Sequence, residues 1–114
     1  MTPERASRRR LWRLHTKLSV EHETPILSLE GRLGHTAVAE LEMAVGQLVA
    51  GAPAFIILDL SGVDYLSSAA LRVFETLADS QSRKGGRLLL RAPSVAARLA
   101  IELAGLTALV NIES

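Results

Sequence analysis

The sequence predicts an α/β (α+β) sandwich in which helices pack on a mixed, partly parallel sheet. Three observations lead there. Apolar residues near the start alternate with period two, the period of a half-buried strand. Beyond them, stretches of helical period alternate with short apolar runs, the pattern of β-α-β units. The 114 residues are 48% apolar and 22% charged, enough for one domain with a real core.

The elements follow in order. "KLSVEH" sets Leu18 and Val20 between polar neighbours and reads as a strand. "TPILSLEGRL" reads as its hairpin partner through a turn near Glu23 and Thr24, with Pro25 suiting a strand start or an edge. In "TAVAELEMAVGQLVAG", Val38, Leu41, Val45, Leu48 and Val49 share one face of a helix that Gly51 and Pro53 stop. "AFIILDL" is a near-continuous apolar run, as in a strand covered on both faces.

A second helix begins near Ser67 or Ser68 and carries Ala70, Val73, Phe74, Leu77 and Ala78 on its inner face. Arg83 and Lys84 suit its last turn and Gly85-Gly86 its stop. "RLLLRA" is a strand. "PSVAARLAIELAGL" is a third helix with Pro93 near its start, a core-facing stripe of Val95, Leu99 and Leu103, and a stop at Gly105. "ALVNI" supplies the last strand. The order is β-β-α-β-α-β-α-β, with the crossover-linked strands parallel and the crossovers right-handed.

Charge is unevenly spread. Residues 1–17 hold six basic side chains (Arg5, Arg8, Arg9, Arg10, Arg13, Lys17) against Glu4. The other 97 residues hold 13 − 6 = 7 basic and 12 − 1 = 11 acidic groups, a formal −4. Such an arm suits nucleic acid, anionic lipid or an acidic partner, or is a solvated, partly ordered extension; against that, Leu11, Trp12 and Leu14 offer a means of pinning it to the domain surface. No apolar run approaches the ~18 residues of a membrane span, and no apolar stretch follows the arginines as in a secretory signal. The absence of cysteine excludes disulfide and thiol chemistry. A cytoplasmic location is expected.

Nothing in the sequence converges on catalysis. His15, His22 and His35 fall in the arm, a strand and a loop, none at metal-ligand spacing from another. There is no G-x-S-x-G elbow, so Ser67 or Ser68 as a nucleophile would need a base such as His35 from elsewhere. "KGGR" reads as a helix stop rather than a phosphate loop. The expectation is a protein without catalytic residues, metal or cofactor.

The serine pair in "VDYLSSAALRVF" has a structural use. Serine is a preferred N-cap, worth about 1 kcal/mol, and one of Ser67 and Ser68 serves as one. Two hydroxyls exceed what a cap needs. The other is then exposed beside the positive end of a helix dipole, where a phosphate is tolerated and would alter any interface built over that helix end.

From "EGRL" onward, and most clearly through "FIILDLSGVDYLSSAALRVFETLADSQSRKGGRLLLRAPSVAARLAIELAGLTALVNI", the chain resembles the STAS domain of bacterial anti-anti-sigma factors (anti-sigma factor antagonists). Asp59-Leu60-Ser61, Ser68, Leu71, Gly85-Gly86, Pro93, Leu99 and Gly105-Leu106 carry the likeness. It covers residues 17–112, which divides the chain into a basic arm, 1–16, and a STAS domain, 17–114. The resemblance implies partner switching in transcription regulation. The unmodified protein binds an anti-sigma factor that is also a serine kinase, phosphorylation at Ser68 breaks the complex, and a phosphatase restores it. The binding surface so implied comprises Gly34, His35, Thr36, Leu66, Ser67, Ser68, Ala69 and Arg72, with no direct DNA contact. Phosphorylatable members commonly carry aspartate where this chain has Ser67 and Gly34, and glycine where it has Ala70. Those departures leave two alternatives open. Ser67 is a second candidate acceptor, and the alternative to the switched antagonist is a constitutive, non-phosphorylated STAS subunit of a signalling scaffold or an ABC-type lipid-transport complex. An exposed edge strand near Pro25 leaves a homodimer open.

Overall fold

All eight elements expected from periodicity are present, in the expected order, in the computed structural model, which describes residues 14–114. They are β1 (His15–Glu21), β2 (Thr24–Leu33), α1 (Val38–Val49), β3 (Phe55–Leu66), α2 (Ser68–Arg83), β4 (Arg87–Arg91), α3 (Val95–Leu103) and β5 (Asn111–Glu113). Short 3-10 turns at His35–Ala37 and Leu106–Ala108 precede α1 and β5. One sheet has the order β1-β2-β3-β4-β5, with β1 antiparallel to β2 and every other pair parallel. β1 opens at His15, two residues ahead of the expected boundary at 17. Most of the basic arm, with Leu11 and Trp12, lies outside the described residues, whereas Leu14 is buried in the core.

Register explains how the core is assembled. Leu58 pairs with Leu27 on β2 and Leu90 on β4, and Ile56 pairs with Leu88. Directly opposed residues share a sheet face. This face joins Leu41, Leu48, Phe74, Leu77, Ala97 and Ile101 from the three helices in one hydrophobic cluster. The opposite face carries an ion-pair group. Arg91 on β4 lies 3.6 Å from Glu21 of β1 and 3.3 Å from Glu113 of β5, tying both outer strands to the centre.

Five expectations need correction. The hairpin turn is His22–Glu23, between the paired residues Glu21 and Thr24; both have positive φ (51° and 68°), as a two-residue type I′ turn requires. Pro25 stands at the start of its strand, one of its two expected places, but not at a sheet edge: β2 lies between β1 and β3, and the ladder to β3 starts at Ile26, so the missing N–H removes no bond there. The edge is β1, where Leu18 and Val20 are exposed. β3 does not end with its apolar run but continues to Leu66, following β2 through two register shifts. Nor is it buried on both faces: Ile56, Leu58 and Leu60 are buried, while Phe55 is exposed and Ile57 and Asp59 are half-buried.

The fifth correction concerns α3. Val95, Leu99 and Leu103 are 88%, 54% and 80% exposed, and Ala97 and Ile101 face the core instead. This helix has apolar residues on both sides, and the side with small alanines is the one that packs. Ser94, not Pro93, sets its start, its Oγ accepting from Ala97 N at 3.1 Å.

Candidate functional site

The site lies where the chain leaves the C-terminal ends of the parallel strands β2 and β3. Leu33 and Leu66 are register partners, and Ser67 N donates to Leu33 O at 2.9 Å. Two segments more than thirty residues apart in sequence, 34–36 and 67–72, are thereby set side by side. Gly34 leads into the 3-10 turn, its carbonyl accepting from Ala37 N at 3.1 Å, and leaves His35 and Thr36 exposed. Its φ is negative and nothing lies within 4 Å of where a Cβ would be, so the backbone does not demand glycine there.

The two serines have separate environments. Ser67 is the N-cap of α2: its backbone is extended, its Oγ accepts from Ala70 N at 3.2 Å, and it is 2% exposed. Ser68 is the first helical residue and points to solvent. Ala69 is half-buried and Arg72, one turn on from Ser68, is exposed. Two of the expected surface residues, Leu66 and Ser67, therefore do not reach the surface; Leu66 belongs to the hydrophobic cluster. Ser67→Ala should strand the Ala70 N–H. It is expected to cost about 1 kcal/mol and lower the melting temperature by roughly 4–8 °C, with Ser68→Ala nearly neutral in the same thermal scan.

Arg32 and Tyr65 form a feature that sequence reasoning missed. They are register partners at the ends of β2 and β3, and the Arg32 guanidinium lies 5.0 Å from the centre of the Tyr65 ring. Such a cation–π pair is worth about 0.5–1 kcal/mol at an exposed position. It stands just ahead of Leu33 and Leu66, so the same strand ends that position Gly34 and Ser67 also present this pair.

Chemically, the arrangement offers an exposed hydroxyl at a helix start with a guanidinium at i+4. Among the described residues no hydrogen bond joins Ser68 to a histidine or carboxylate. No group of three or more His, Cys, Asp or Glu among them is placed to hold a metal. None of the described helices is long and apolar enough to cross a membrane. Ser68 is solvent-exposed at the helix start; activating its hydroxyl as a nucleophile would require a base within hydrogen-bond reach.

Comparisons with known proteins agree on one family. Residues 16–114 match the family model described as the STAS domain. Over 63 residues the chain is 35% identical to the anti-sigma-F factor antagonist RsfB of two Mycobacterium tuberculosis strains, covering 54% of this chain and 52% of the relative. The match thus spans about half the length of those curated relatives. Among solved structures, an anti-sigma factor antagonist from Mycobacterium paratuberculosis superposes with a TM-score of 0.80 at 25% identity, covering 88% of this chain and 85% of that one. The phosphorylated form of the Bacillus cell fate determinant SpoIIAA gives a TM-score of 0.68 at 22% identity over 88% of this chain and 92% of that one. At that identity SpoIIAA speaks to the fold alone.

Proposed function

Because the chain belongs to the STAS domain family, we propose that it is an anti-sigma factor antagonist that works by partner switching. In its unmodified form it binds an anti-sigma factor that is also a serine kinase, through Ser68, Ala69, Arg72 and the loop Gly34, His35 and Thr36. Phosphorylation of Ser68 releases it, and a phosphatase resets it. It acts by binding in the cytoplasm and contributes no catalysis of its own. The names of the mycobacterial relatives support the partner class.

The observation that carries the reading is the division of labour between the serines. Ser67 is consumed by the cap and buried, so the acceptor held open at that position is disfavoured. Ser68 offers its hydroxyl at a helix start, where the dipole tolerates a phosphate. Adding ~1.5 to 2 negative charges there leaves α2 intact while changing what the neighbouring surface accepts.

The test uses the full chain against purified kinase-type anti-sigma factors of the source organism. Unmodified protein should bind one of them, gain about 80 Da on Ser68 with ATP, and bind at least 10-fold more weakly as Ser68→Glu. A Ser68→Glu protein that binds like the wild type would reject the switch. A second reading rests on Ser67 and Gly34 standing where carboxylates are common: a constitutive STAS subunit in which Ser68 only starts a helix. It predicts a complex that survives Ser68→Glu and a chain that no such kinase modifies.

A further inference from the structure

Beside Ser68 a groove of ≈ 520 Å³ runs between α1 and α2. Val38, Val45 and Val49 form one wall and Ala69, Val73 and Thr76 the other, at one or two positions per turn. With Ser80 at the far end of the second, each wall spans 12 residues, about 18 Å or a little over three helical turns. The valines of α1 share a helix face with Leu41 and Leu48 but are only half-buried, because the two leucines fill the core behind them. The groove is open at Gly46, in the interior of α1, where a Cβ would meet nothing within 4 Å. Glycine inside a helix weakens it, and no contact among the described residues accounts for it.

We infer that the α1–α2 groove receives an amphipathic helix of the anti-sigma factor, with Gly46 admitting its close approach. The inference rests on the function proposed above and extends its interface away from Ser68. Two features select a helix. An extended segment would bring backbone N–H and C=O groups against walls whose own backbone is already paired, whereas a helix satisfies its own. The walls also repeat with the helical period, so apolar residues at i, i+3 or i+4 and i+7 of the occupant meet Val45, Val49 and Val73.

Charge fixes the orientation. Glu42 and Arg72 line opposite walls toward the Ser68 end, and neither forms an ion pair with another described residue. The occupant therefore carries a base toward Glu42 and an acid toward Arg72. This couples the groove to the switch. A phosphate on Ser68 sits one turn from Arg72 on the same helix face, the spacing at which opposite charges pair. It draws the guanidinium to itself and repels the occupant's acid.

The experiment measures, by titration calorimetry, binding of the full chain to the anti-sigma factor identified through Ser68. Gly46→Leu, placed where a Cβ meets nothing within 4 Å, should melt no earlier than the wild type yet bind at least 10-fold more weakly. Glu42→Arg, on an exposed side chain, should weaken binding similarly and decides the matter if the leucine variant is unstable. Met43→Glu, exposed on α1 outside the groove, should bind within two-fold of the wild type. Normal binding by both groove variants, with Ser68→Glu still deficient, overturns the groove and leaves the Ser68 reading standing. Wild-type protein that binds no anti-sigma factor removes both. A self-associating chain that Gly46→Leu turns monomeric makes the occupant a second copy and likewise overturns the proposal.

Discussion

Replacing Gly86 with alanine is expected to lower the melting temperature by roughly 12–24 °C, a loss of about 3 kcal/mol or more. The chain enters β4 at this residue, and a Cβ there would overlap the carbonyl oxygen of Ala54 and approach its carbon at 2.9 Å. Neither side can yield easily. Ala54 O accepts Arg87 N at 2.8 Å and the Gln81 side chain at 2.9 Å, while Gly86 N donates to Gln81 O at 2.8 Å. Gln81 is wholly buried at this junction and also reaches Pro53 O at 2.9 Å. Separating the two backbones by the width of a methyl group would break several of these bonds at once, against a total stability of about 5–15 kcal/mol. Gly85→Ala is the control. Its φ of 74° penalises a side chain, but the space around it is open, so the cost should stay near 1 kcal/mol. Circular dichroism melts of the two variants check the difference; a Gly86→Ala protein melting within a few degrees of wild type would mean that the contact relaxes freely.

Phe74→Ala should cost about 3–5 kcal/mol. Phe74 is the bulkiest fully buried side chain and sits midway along α2, in the single cluster that joins all three helices to the sheet. Among the described residues no second core remains to hold the sheet if this one is hollowed. Leu103→Ala, an equally apolar truncation on exposed α3, should change stability by less than about 0.5 kcal/mol. Urea titrations of both variants test the contrast. Comparable losses would show that the α3 stripe is packed in solution against something other than the described domain.

That pair of residues also marks where the sequence could be read and where it could not. On α2 four of the five expected stripe residues, Ala70, Phe74, Leu77 and Ala78, are buried and Val73 is half-buried, because the other face is polar and leaves one way to pack. On α3 both faces are apolar, so periodicity alone chose the larger residues, and packing chose Ala97 and Ile101. β3 outran its apolar run because pairing with β2 carries a strand through Ser61, Gly62 and Asp64, where composition signals a loop. The same register shifts hid the pairing of Arg32 with Tyr65. At the site, the strand-to-helix junction was legible, but the roles of Ser67 and Ser68 were not. Either hydroxyl caps well, and only the turn geometry assigns the cap to Ser67.

The length of β3 has one more consequence. β4 pairs with it only as far as Asp59, so Leu60–Leu66, the stretch that delivers Ser67 and Ser68, is laddered to β2 on one side alone. Segments with fewer backbone partners open at lower free energy than the body of a domain. This end of the molecule can therefore loosen while Ile56 and Leu58 stay locked, and amide hydrogens in Leu60–Leu66 will exchange ahead of the central sheet. A partner that grips this end orders it, so tightening of local motion becomes part of the free energy of association alongside contact and charge.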